Sequence, residues 1–131
     1  MSTNSTILIV EDNALSRDLM RSILEAQSYS VVTAVDGEDA LKVIANTPVD
    51  LAYVDLNMEP MGGFEFIKHL REHNNNTRGL GDRKHLFPIV IVTADESSDV
   101  LMLANEHGAV QLFKKPVDPE RLIKTTEKLL R

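Results

Sequence analysis

Short apolar runs alternate with amphipathic stretches along the whole chain. Each run is too short for a helix, and the first, Ile-Leu-Ile-Val, is apolar on both faces, as in a parallel strand that is covered on both sides. The predicted strands occupy residues 7–10, 30–35, 51–54, 89–92 and 109–113. An amphipathic stretch follows each strand, so the pattern predicts five strand–helix units.

The amphipathic stretches carry apolar side chains at helical spacing. These positions are Leu15, Leu19, Ile23 and Leu24; Ala40, Leu41 and Ile44; Phe64, Ile67 and Leu70; Val100, Leu101 and Ala104; and Leu122, Ile123, Thr126, Leu129 and Leu130. Asn13, Asp36 and Asp118 are suited to cap the first, second and fifth helices, and Gly108 is suited to end the fourth. Residues 73–85 are polar and contain two glycines, which predicts a surface loop.

Alternating strands and helices are typical of an α/β fold, because the connection between two parallel strands is long and right-handed. We therefore expect a doubly wound (βα)₅ architecture, a five-stranded parallel sheet with helices on both faces. No internal repeat or linker interrupts the chain. Residues 1–131 are predicted to form one domain, with a core at about 5–131.

Polar side chains follow four of the predicted strands, at the point where each strand ends. They are Glu11 and Asp12 after the first strand, Asp55 after the third, Thr93 after the fourth, and Lys114 and Lys115 after the fifth. The carboxyl ends of parallel strands meet at one edge of the sheet, where open α/β folds bind their ligands. The sequence therefore predicts a polar site at this edge.

The three acids at this edge favour a cation site. Two carboxylates about 4 Å apart repel each other by about 4 kcal/mol at an effective dielectric constant of about 20. A hard divalent cation such as Mg²⁺ relieves this repulsion and prefers carboxylate oxygens. A single acid is also explained as a solvated loop residue or helix cap, but three acids at the ends of two strands favour the site.

Two lysines compete for the positive role at this edge. Lys115 can pair with Asp55, or with a phosphoryl oxygen in a filled site, and Lys114 is its rival because strand alternation puts the two on opposite faces. Pro116 makes the bond before it the most suitable cis peptide of the chain. The Thr93 hydroxyl suits a phosphoryl oxygen, or Thr93 is only a β-branched residue at a strand end.

Composition narrows the classes of function. The 131 residues have a formal net charge of −6, and the acidic excess lies before Lys68, with eleven acids against three bases. Such a balance argues against a nucleic-acid surface, which needs clustered Lys and Arg. The lack of cysteine excludes disulfides and thiolate metal sites, and no apolar run reaches the roughly 18 residues of a membrane span. The first residues show no secretory signal, so a cytoplasmic location is expected.

Four linked motifs resemble the receiver domain of two-component response regulators. They are Ile-Leu-Ile-Val-Glu-Asp-Asn at 7–13, Asp-Leu-Asn-Met at 55–58 with Met-Gly-Gly at 61–63, Val-Thr-Ala at 92–94, and Lys-Pro at 115–116. The likeness covers essentially the whole chain, in the family's order and spacing. It implies a flavodoxin-like fold and a non-enzymatic signalling protein that promotes its own phosphotransfer and dephosphorylation with Mg²⁺.

The resemblance assigns roles to the acids at the sheet edge. Asp55 matches the phosphoacceptor, which takes a phosphoryl group from a phosphohistidine on a sensor histidine kinase or a histidine phosphotransfer protein. Asp12 and Asp55 match direct Mg²⁺ ligands, and Glu11 matches a ligand that acts mostly through water. Asn57 matches a ligand that uses its backbone carbonyl.

Other positions match groups that act on the phosphoryl oxygens. Thr93 and Lys115 match the residues that bind these oxygens, and Ala94 matches the small residue beside the site. Asn57 and Asp95 match positions that tune dephosphorylation. The resemblance also implies that phosphorylation draws Thr93 inward and repacks the surface of the fourth helix, fifth strand and fifth helix, which is also the expected face of any homodimer.

Two departures from the family pattern affect these expectations. The position three residues before Lys115, which is aromatic in the family, is Leu112, with Phe113 next to it. The family's Met-Pro-x-Met-Asp-Gly segment reads Met-Glu-Pro-Met-Gly-Gly at 58–63. This loop is therefore expected to follow a different path beside Asp55.

Two other functional classes compete with a phosphorylated receiver. A pseudo-receiver, which binds a partner constitutively and is never phosphorylated, is the alternative, and it is disfavoured because the acids, the hydroxyl and the lysine of a working site are all present. A flavodoxin-type cofactor carrier fails because no phosphate-binding loop follows the first strand and the chain has no Trp. No nucleic-acid or membrane partner is predicted.

Overall fold

The computed structural model describes residues 5–58, 61–76, 87–94 and 97–130. Within these residues, strands and helices alternate in the predicted order. The elements are β1 (Thr6–Val10), α1 (Ala14–Ala26), β2 (Ser30–Ala34), α2 (Gly37–Asn46), β3 (Leu51–Asp55), α3 (Gly63–Asn76), β4 (Ile89–Thr93), α4 (Ser98–Glu106), β5 (Gln111–Lys114) and α5 (Pro119–Leu129). The predicted (βα)₅ alternation is confirmed.

The five strands run parallel in one sheet, in the order β2-β1-β3-β4-β5. The chain goes from β1 outward to β2 and then returns to the other side of β1 with β3. The strand order therefore reverses between β1 and β3, and open α/β sheets bind ligands in the crevice outside the carboxyl ends of such a strand pair. Val10 pairs with Val54 and Asp55 pairs with Val92, so the ends of β1, β3 and β4 lie side by side.

A hydrophobic cluster covers each face of the sheet. The first cluster joins Leu8, Val10, Ala52, Val54, Ile89 and Ile91 of the sheet to Ala40, Ile44, Phe66, Ile67, Leu70 and Ala104 of α2, α3 and α4. The second joins Ile7, Ile9, Leu51, Tyr53, Val90, Val92 and Phe113 to Met20, Leu24 and Leu122 of α1 and α5. Successive strand residues alternate between the two clusters. This is the doubly wound arrangement that the sequence predicts.

The predicted helix caps are confirmed. Asn13 accepts a hydrogen bond from the Ser16 backbone N–H at 2.8 Å, at the start of α1. Asp36 and Asp118 cap α2 and α5 in the same way, which satisfies backbone donors that lack a partner within the helix. Gly108 follows the end of α4 with a φ of 79°, a left-handed conformation that favours glycine.

The structure corrects the predicted apolar face of α1. Of the predicted positions, Leu24 is buried against the sheet and Ile23 packs against the same cluster, which confirms this part of the face. Leu15 and Leu19, however, are 80% and 56% exposed, and the unpredicted Met20 is buried. The helix carries two apolar stripes, and tertiary packing determines which of them contacts the sheet. Leu101 of α4, also predicted to face inward, is 50% exposed.

The third helix extends further than the sequence predicts. Because α3 continues through Asn76, residues 73–76 are helical rather than the start of a loop. Polar residues are common on the solvent face of a helix, so composition alone does not separate a polar helix end from a loop. Residues 77–85 of the predicted loop lie outside the described residues. Among the helices that the structure describes, none combines the length and the apolar composition needed to cross a bilayer.

A buried pair of hydroxyls links β3 to α5. The hydroxyls of Tyr53 and Thr126 are hydrogen-bonded, and Thr126 donates its own proton to the Leu122 carbonyl at 2.7 Å, so Tyr53 is the donor of the pair. Burial raises the pKa of Tyr53 to about 12, although the hydrogen bond with Thr126 acts in the opposite direction. The folded protein therefore keeps this phenol neutral at a pH where an exposed tyrosine ionises.

This raised pKa predicts a loss of stability at alkaline pH. The stabilisation is complete below about pH 10, where Tyr53 titrates in the unfolded chain, and about 2 to 3 kcal/mol is lost as the pH rises to about 12. Urea denaturation of wild type and Tyr53→Phe at pH values from about 8 upward measures the effect. We expect Tyr53→Phe to lower the free energy of unfolding by about 1 kcal/mol at neutral pH. Above pH 10, the variant is expected to lose markedly less of its remaining stability than wild type. Equal alkaline losses in both proteins would contradict the prediction.

Candidate functional site

Three carboxylates converge at the crevice between the ends of β1 and β3. Glu11 and Asp12 follow β1, Asp55 ends β3, and each offers one carboxylate oxygen, all of them within 4.8 Å of one another. Glu11 and Asp55 are 2% and 4% exposed, whereas Asp12 is open to solvent. The structure thus brings together the three acids that the sequence places at the sheet edge. Two of them are in surroundings where an unpaired charge is costly.

A lysine lies between the two buried acids. The Lys115 Nζ is 2.8 Å from Glu11 Oε1 and 3.4 Å from Asp55 Oδ2. The Lys115 backbone N–H donates to the Thr93 carbonyl at 2.8 Å, which fixes the end of β5 beside the end of β4. Lys114 ends β5 with an exposed side chain. Of the two candidate lysines, Lys115 is therefore the one that contacts the acids.

The charges in this cluster do not balance. Burial alone would lower the pKa of Lys115, but the hydrogen bond to Glu11 and the negative charges of Asp55 and Glu11 outweigh it, so the pKa lies above its ordinary value. Lys115 is therefore charged at neutral pH. Three carboxylates face one ammonium, and the neighbouring Arg17 guanidinium adds a second positive charge. Negative charge remains in excess, and a divalent cation is suited to offset it.

Hydrogen bonds hold the segment that follows β1. The Glu11 N–H donates to the Ala34 carbonyl at 3.0 Å, and the Glu11 carbonyl accepts a hydrogen bond from Arg17 Nη1 at 3.0 Å. The Asn13 backbone N–H donates to Glu11 Oε2 at 3.1 Å. Both the backbone and the side chain of Glu11 are thereby fixed. Sequence reasoning misses Arg17, because a single arginine on a helix is most often a solvated surface residue.

An open cleft lies beside the acids, along the segment that follows β3. Asp12, Leu56, Asn57 and Met58 line its volume of about 500 Å³. The Asn57 N–H is 3.4 Å from Asp55 Oδ1, a long hydrogen bond that keeps the segment close to the carboxylate. The cluster and the neighbouring backbone offer oxygen donors, the ligand type that Mg²⁺ prefers in proteins.

Two glycines let the segment after Asp55 pass close to the end of β3. A Cβ on Gly63 would lie 2.5 Å from the Asp55 carbonyl oxygen, and a Cβ on Gly62 would lie 3.0 Å from the Leu56 carbonyl oxygen. Neither glycine has a positive φ. Close approach, rather than backbone conformation, therefore requires glycine here. Residues 59 and 60 lie outside the described residues, and the changed path of this loop stays a prediction.

The ends of β4 and β5 carry the remaining predicted site residues. Thr93 ends β4 fully buried, and Ala94 is exposed beside it. The peptide bond between Lys115 and Pro116 is cis. Asp95 lies outside the described residues. The chemical roles of these residues stay predictions.

Leu112 and Phe113 lie on opposite faces of the sheet. Leu112 is half-buried and packs against the cluster shared with α2, α3 and α4. Phe113 is fully buried on the other face, where its ring stacks on Tyr53 with centroids 6.1 Å apart and the Arg121 guanidinium lies 4.8 Å from its centre. Phe113 therefore does not supply the aromatic ring that position 112 lacks.

Comparison with known proteins extends these observations. The sequence model of the family described as response regulator receiver domain matches residues 7–127 of this chain. The alkaline phosphatase synthesis transcriptional regulatory protein PhoP of Bacillus subtilis is 32% identical over 128 residues, which cover 98% of this chain and 49% of that protein. Sporulation initiation phosphotransferase F of the same organism is 28% identical over 127 residues, which cover 97% of this chain and 94% of that protein.

A solved structure shares both the fold and part of the sequence. The chemotaxis protein CheY4 of Vibrio cholerae has a TM-score of 0.85 and 30% identity, over 98% of this chain and 100% of that chain. The first curated relatives are longer, and the chain spans about half of their length. The CheY-like likeness confirms the predicted flavodoxin-like fold. Since the family model matches nearly the whole sequence, the chain belongs to the response regulator receiver domains of two-component signalling.

Proposed function

We propose that this receiver domain accepts a phosphoryl group on Asp55 with the help of Mg²⁺. The proposal is carried by the buried Asp55 carboxylate, which lies within reach of Lys115 and two further acids. Asp12, Asp55 and the backbone carbonyl of Asn57 are suited to hold the ion directly, and Glu11 is suited to hold it through water. When bound, the ion supplies charge that neutralises phosphoryl oxygens.

The proposed donor is a phosphohistidine on a sensor histidine kinase or a histidine phosphotransfer protein. An oxygen of Asp55 attacks the phosphorus in line, the P–N bond breaks, and the imidazole leaves with the electron pair of that bond. The Lys115 ammonium pairs with Asp55 before the reaction and with a phosphoryl oxygen after it. The Thr93 hydroxyl donates to one of these oxygens, and the small side chain of Ala94 leaves space beside them.

The proposed signalling cycle ends with hydrolysis of the acyl phosphate. Asn57 and Asp95 flank the site in sequence and are expected to set the rate of this step. We expect the cycle to take place in the cytoplasm, without direct contact between this chain and nucleic acid or membrane. We also expect residues 1–131 to form a single receiver domain. The similarity to sporulation initiation phosphotransferase F, a relative whose name describes phosphotransfer, supports such a reaction.

Phosphorylation is proposed to change the surface formed by α4, β5 and α5. Thr93 ends β4 next to β5, and drawing its hydroxyl toward the phosphoryl group frees space that Leu112, half-buried in the structure, can enter. Leu101 and Met102 on α4 are 50% and 59% exposed, and Val110 before β5 is 49% exposed. This apolar area is suited to an effector or to a second copy of the chain.

A constitutive interaction module that is never phosphorylated is the alternative function. The observation in its favour is Leu112, because a switch without the aromatic residue usual at this position in the family would couple phosphorylation less strongly to the surface of α4, β5 and α5. The two functions differ in whether Asp55 acquires a phosphoryl group, and one experiment separates them.

Intact-mass measurement after incubation with acetyl phosphate or phosphoramidate tests the proposed function. We expect wild type to gain one phosphoryl group only when Mg²⁺ is present, the adduct to be labile to alkali, and Asp55→Asn to gain none. Asp18→Asn, which changes an exposed acid on α1, is the matched control and is expected to match wild type. Folded wild type without an adduct would support the constitutive module. An adduct on Asp55→Asn would place the phosphoacceptor elsewhere.

A further inference from the structure

We propose that Gly37, the first residue of α2, is a positioning residue for the Asp55 site. Gly37 docks Met61 and thereby fixes residues 61–63, which lead into α3 beside the backbone of Asp55. The inference rests on the proposed function, in which Asp55 and Asn57 of this stretch take part in phosphoryl transfer. Gly37 lies outside the acidic cluster of Glu11, Asp12 and Asp55, and it acts on Asp55 through Met61.

A backbone hydrogen bond joins α2 to the segment after β3. The Gly37 N–H donates to the Met61 carbonyl at 2.9 Å. The first N–H groups of a helix have no partner within the helix, so Met61 satisfies one of them for α2. The Asp36 side chain accepts from the Asp39 N–H at 2.9 Å, and Asp39 accepts from the Val35 N–H at 3.0 Å. The start of α2 is therefore a fixed point to which Met61 is anchored.

The Met61 side chain occupies the space that any side chain at position 37 would need. A Cβ on Gly37 would lie 2.6 Å from Met61 Cγ, 2.8 Å from Sδ and 2.9 Å from Cβ. Gly37 is not in the left-handed region, so its backbone conformation is open to other residues and the close approach alone requires glycine. Because the overlap includes the Met61 Cβ, rotation of the end of that side chain does not relieve it.

Met61 has little freedom to move aside. It is 9% exposed and belongs to the cluster shared by the sheet, α2, α3 and α4. The next two residues pass close to the backbone at and after the end of β3, because a Cβ on Gly62 would lie 3.0 Å from the Leu56 carbonyl oxygen and a Cβ on Gly63 would lie 2.5 Å from the Asp55 carbonyl oxygen. The Gly63 N–H also donates to the Leu56 carbonyl at 3.3 Å. A displacement of Met61 is therefore transmitted through two residues to the backbone of Asp55.

The rate of Asp55 phosphorylation in Gly37→Ala tests this role. At fixed concentrations of acetyl phosphate and Mg²⁺, we expect the rate constant from intact-mass time courses to fall about tenfold or more, because small misplacements of reacting groups cost large factors in rate. Ile44→Val is the matched control, since it removes a methyl group from a buried position further along α2. It is expected to lower stability and to leave the rate unchanged.

A double-mutant cycle with Met61→Ala separates positioning from general destabilisation. Met61→Ala removes the two closest contacts, with Cγ at 2.6 Å and Sδ at 2.8 Å, and leaves only the 2.9 Å approach to the Cβ. Adding Gly37→Ala to Met61→Ala is therefore expected to slow phosphorylation clearly less than adding it to wild type. The backbone amide NMR shifts of residues 55–57 are expected to follow the same pattern. They should respond more strongly to Gly37→Ala in wild type than in the Met61→Ala background.

Three results would overturn the proposal. The first is a folded Gly37→Ala variant that is phosphorylated at the wild-type rate. The second is an equal slowing of phosphorylation by Gly37→Ala in wild type and in Met61→Ala. The third is that Gly37→Ala leaves the amide shifts of residues 55–57 unchanged. If Gly37→Ala does not fold, partial or full recovery of folding by Met61→Ala supports the contact, and a double variant that is less stable than Gly37→Ala overturns it. Wild type that is never phosphorylated contradicts the proposed function instead, and the amide shifts then decide the role of Gly37.

Discussion

Lys115→Met is expected to lower the free energy of unfolding by about 3 kcal/mol at neutral pH in the absence of Mg²⁺. Methionine keeps much of the length of the side chain but lacks the ammonium, which lies 2.8 Å from Glu11 and 3.4 Å from Asp55. Both carboxylates are almost fully buried. A buried charge that loses its partner destabilises a protein by much more than the intact pair stabilises it. Urea denaturation measures the loss.

Addition of Mg²⁺ is expected to restore much of the stability of Lys115→Met, since a divalent cation at the acids replaces the missing positive charge. The variant is also expected to reach half-maximal stabilisation at a lower Mg²⁺ concentration than wild type, because no lysine competes for the same oxygens. Lys114→Met, which changes the exposed neighbouring lysine, is the matched control and is expected to change stability by less than about 0.5 kcal/mol. Equal losses in the two variants would mean that the ion pairs are not the cause.

Gly63→Ala is expected to lower the free energy of unfolding by about 2 to 3 kcal/mol and to slow phosphorylation of Asp55 about tenfold or more. Gly63 starts α3, and helix propensity alone would favour alanine by up to about 1 kcal/mol. The added Cβ, however, would lie 2.5 Å from the Asp55 carbonyl oxygen, a backbone atom that cannot rotate away. The end of β3 has to shift, and the phosphoacceptor shifts with it.

Gly62→Ala provides the graded comparison. Its Cβ would lie 3.0 Å from the Leu56 carbonyl oxygen, so a smaller shift is sufficient and both effects are expected to be smaller than for Gly63→Ala. Urea denaturation and intact-mass time courses supply the two quantities. A Gly63→Ala variant as stable and as readily phosphorylated as wild type would show that close approach to Asp55 does not require glycine at this position.

Features that depend on neighbouring residues could be predicted from the sequence. The strands are short apolar runs, and the caps at Asn13, Asp36 and Asp118 each need only one side chain and a backbone N–H three residues later. Together these local signals predict the alternation, the parallel sheet and the edge at which Glu11 and Asp55 meet. The residues meet there because the carboxyl ends of parallel strands lie at the same edge of the sheet.

Features that depend on distant residues could not be predicted in this way. The apolar spacing of α1 predicts both Leu19 and Leu24 inside, but tertiary packing buries Met20 beside Leu24 and leaves Leu19 exposed. Strand alternation puts Lys114 and Lys115 on opposite faces without showing which of them contacts the acids. Gly37 is visible in the sequence, but the reason for it is the side chain of Met61 in a different part of the chain.

Because Leu112 carries no polar side-chain atom, inward movement of this half-buried residue changes only the apolar area in contact with water. Burial of apolar area is driven by entropy near 25 °C and is accompanied by a change in heat capacity. The proposed switch is therefore expected to respond to temperature, with warming from the cold favouring the inward position. Leu112 itself loses and gains no hydrogen bond in this movement, in contrast to Thr93, whose hydroxyl is proposed to bind a phosphoryl oxygen.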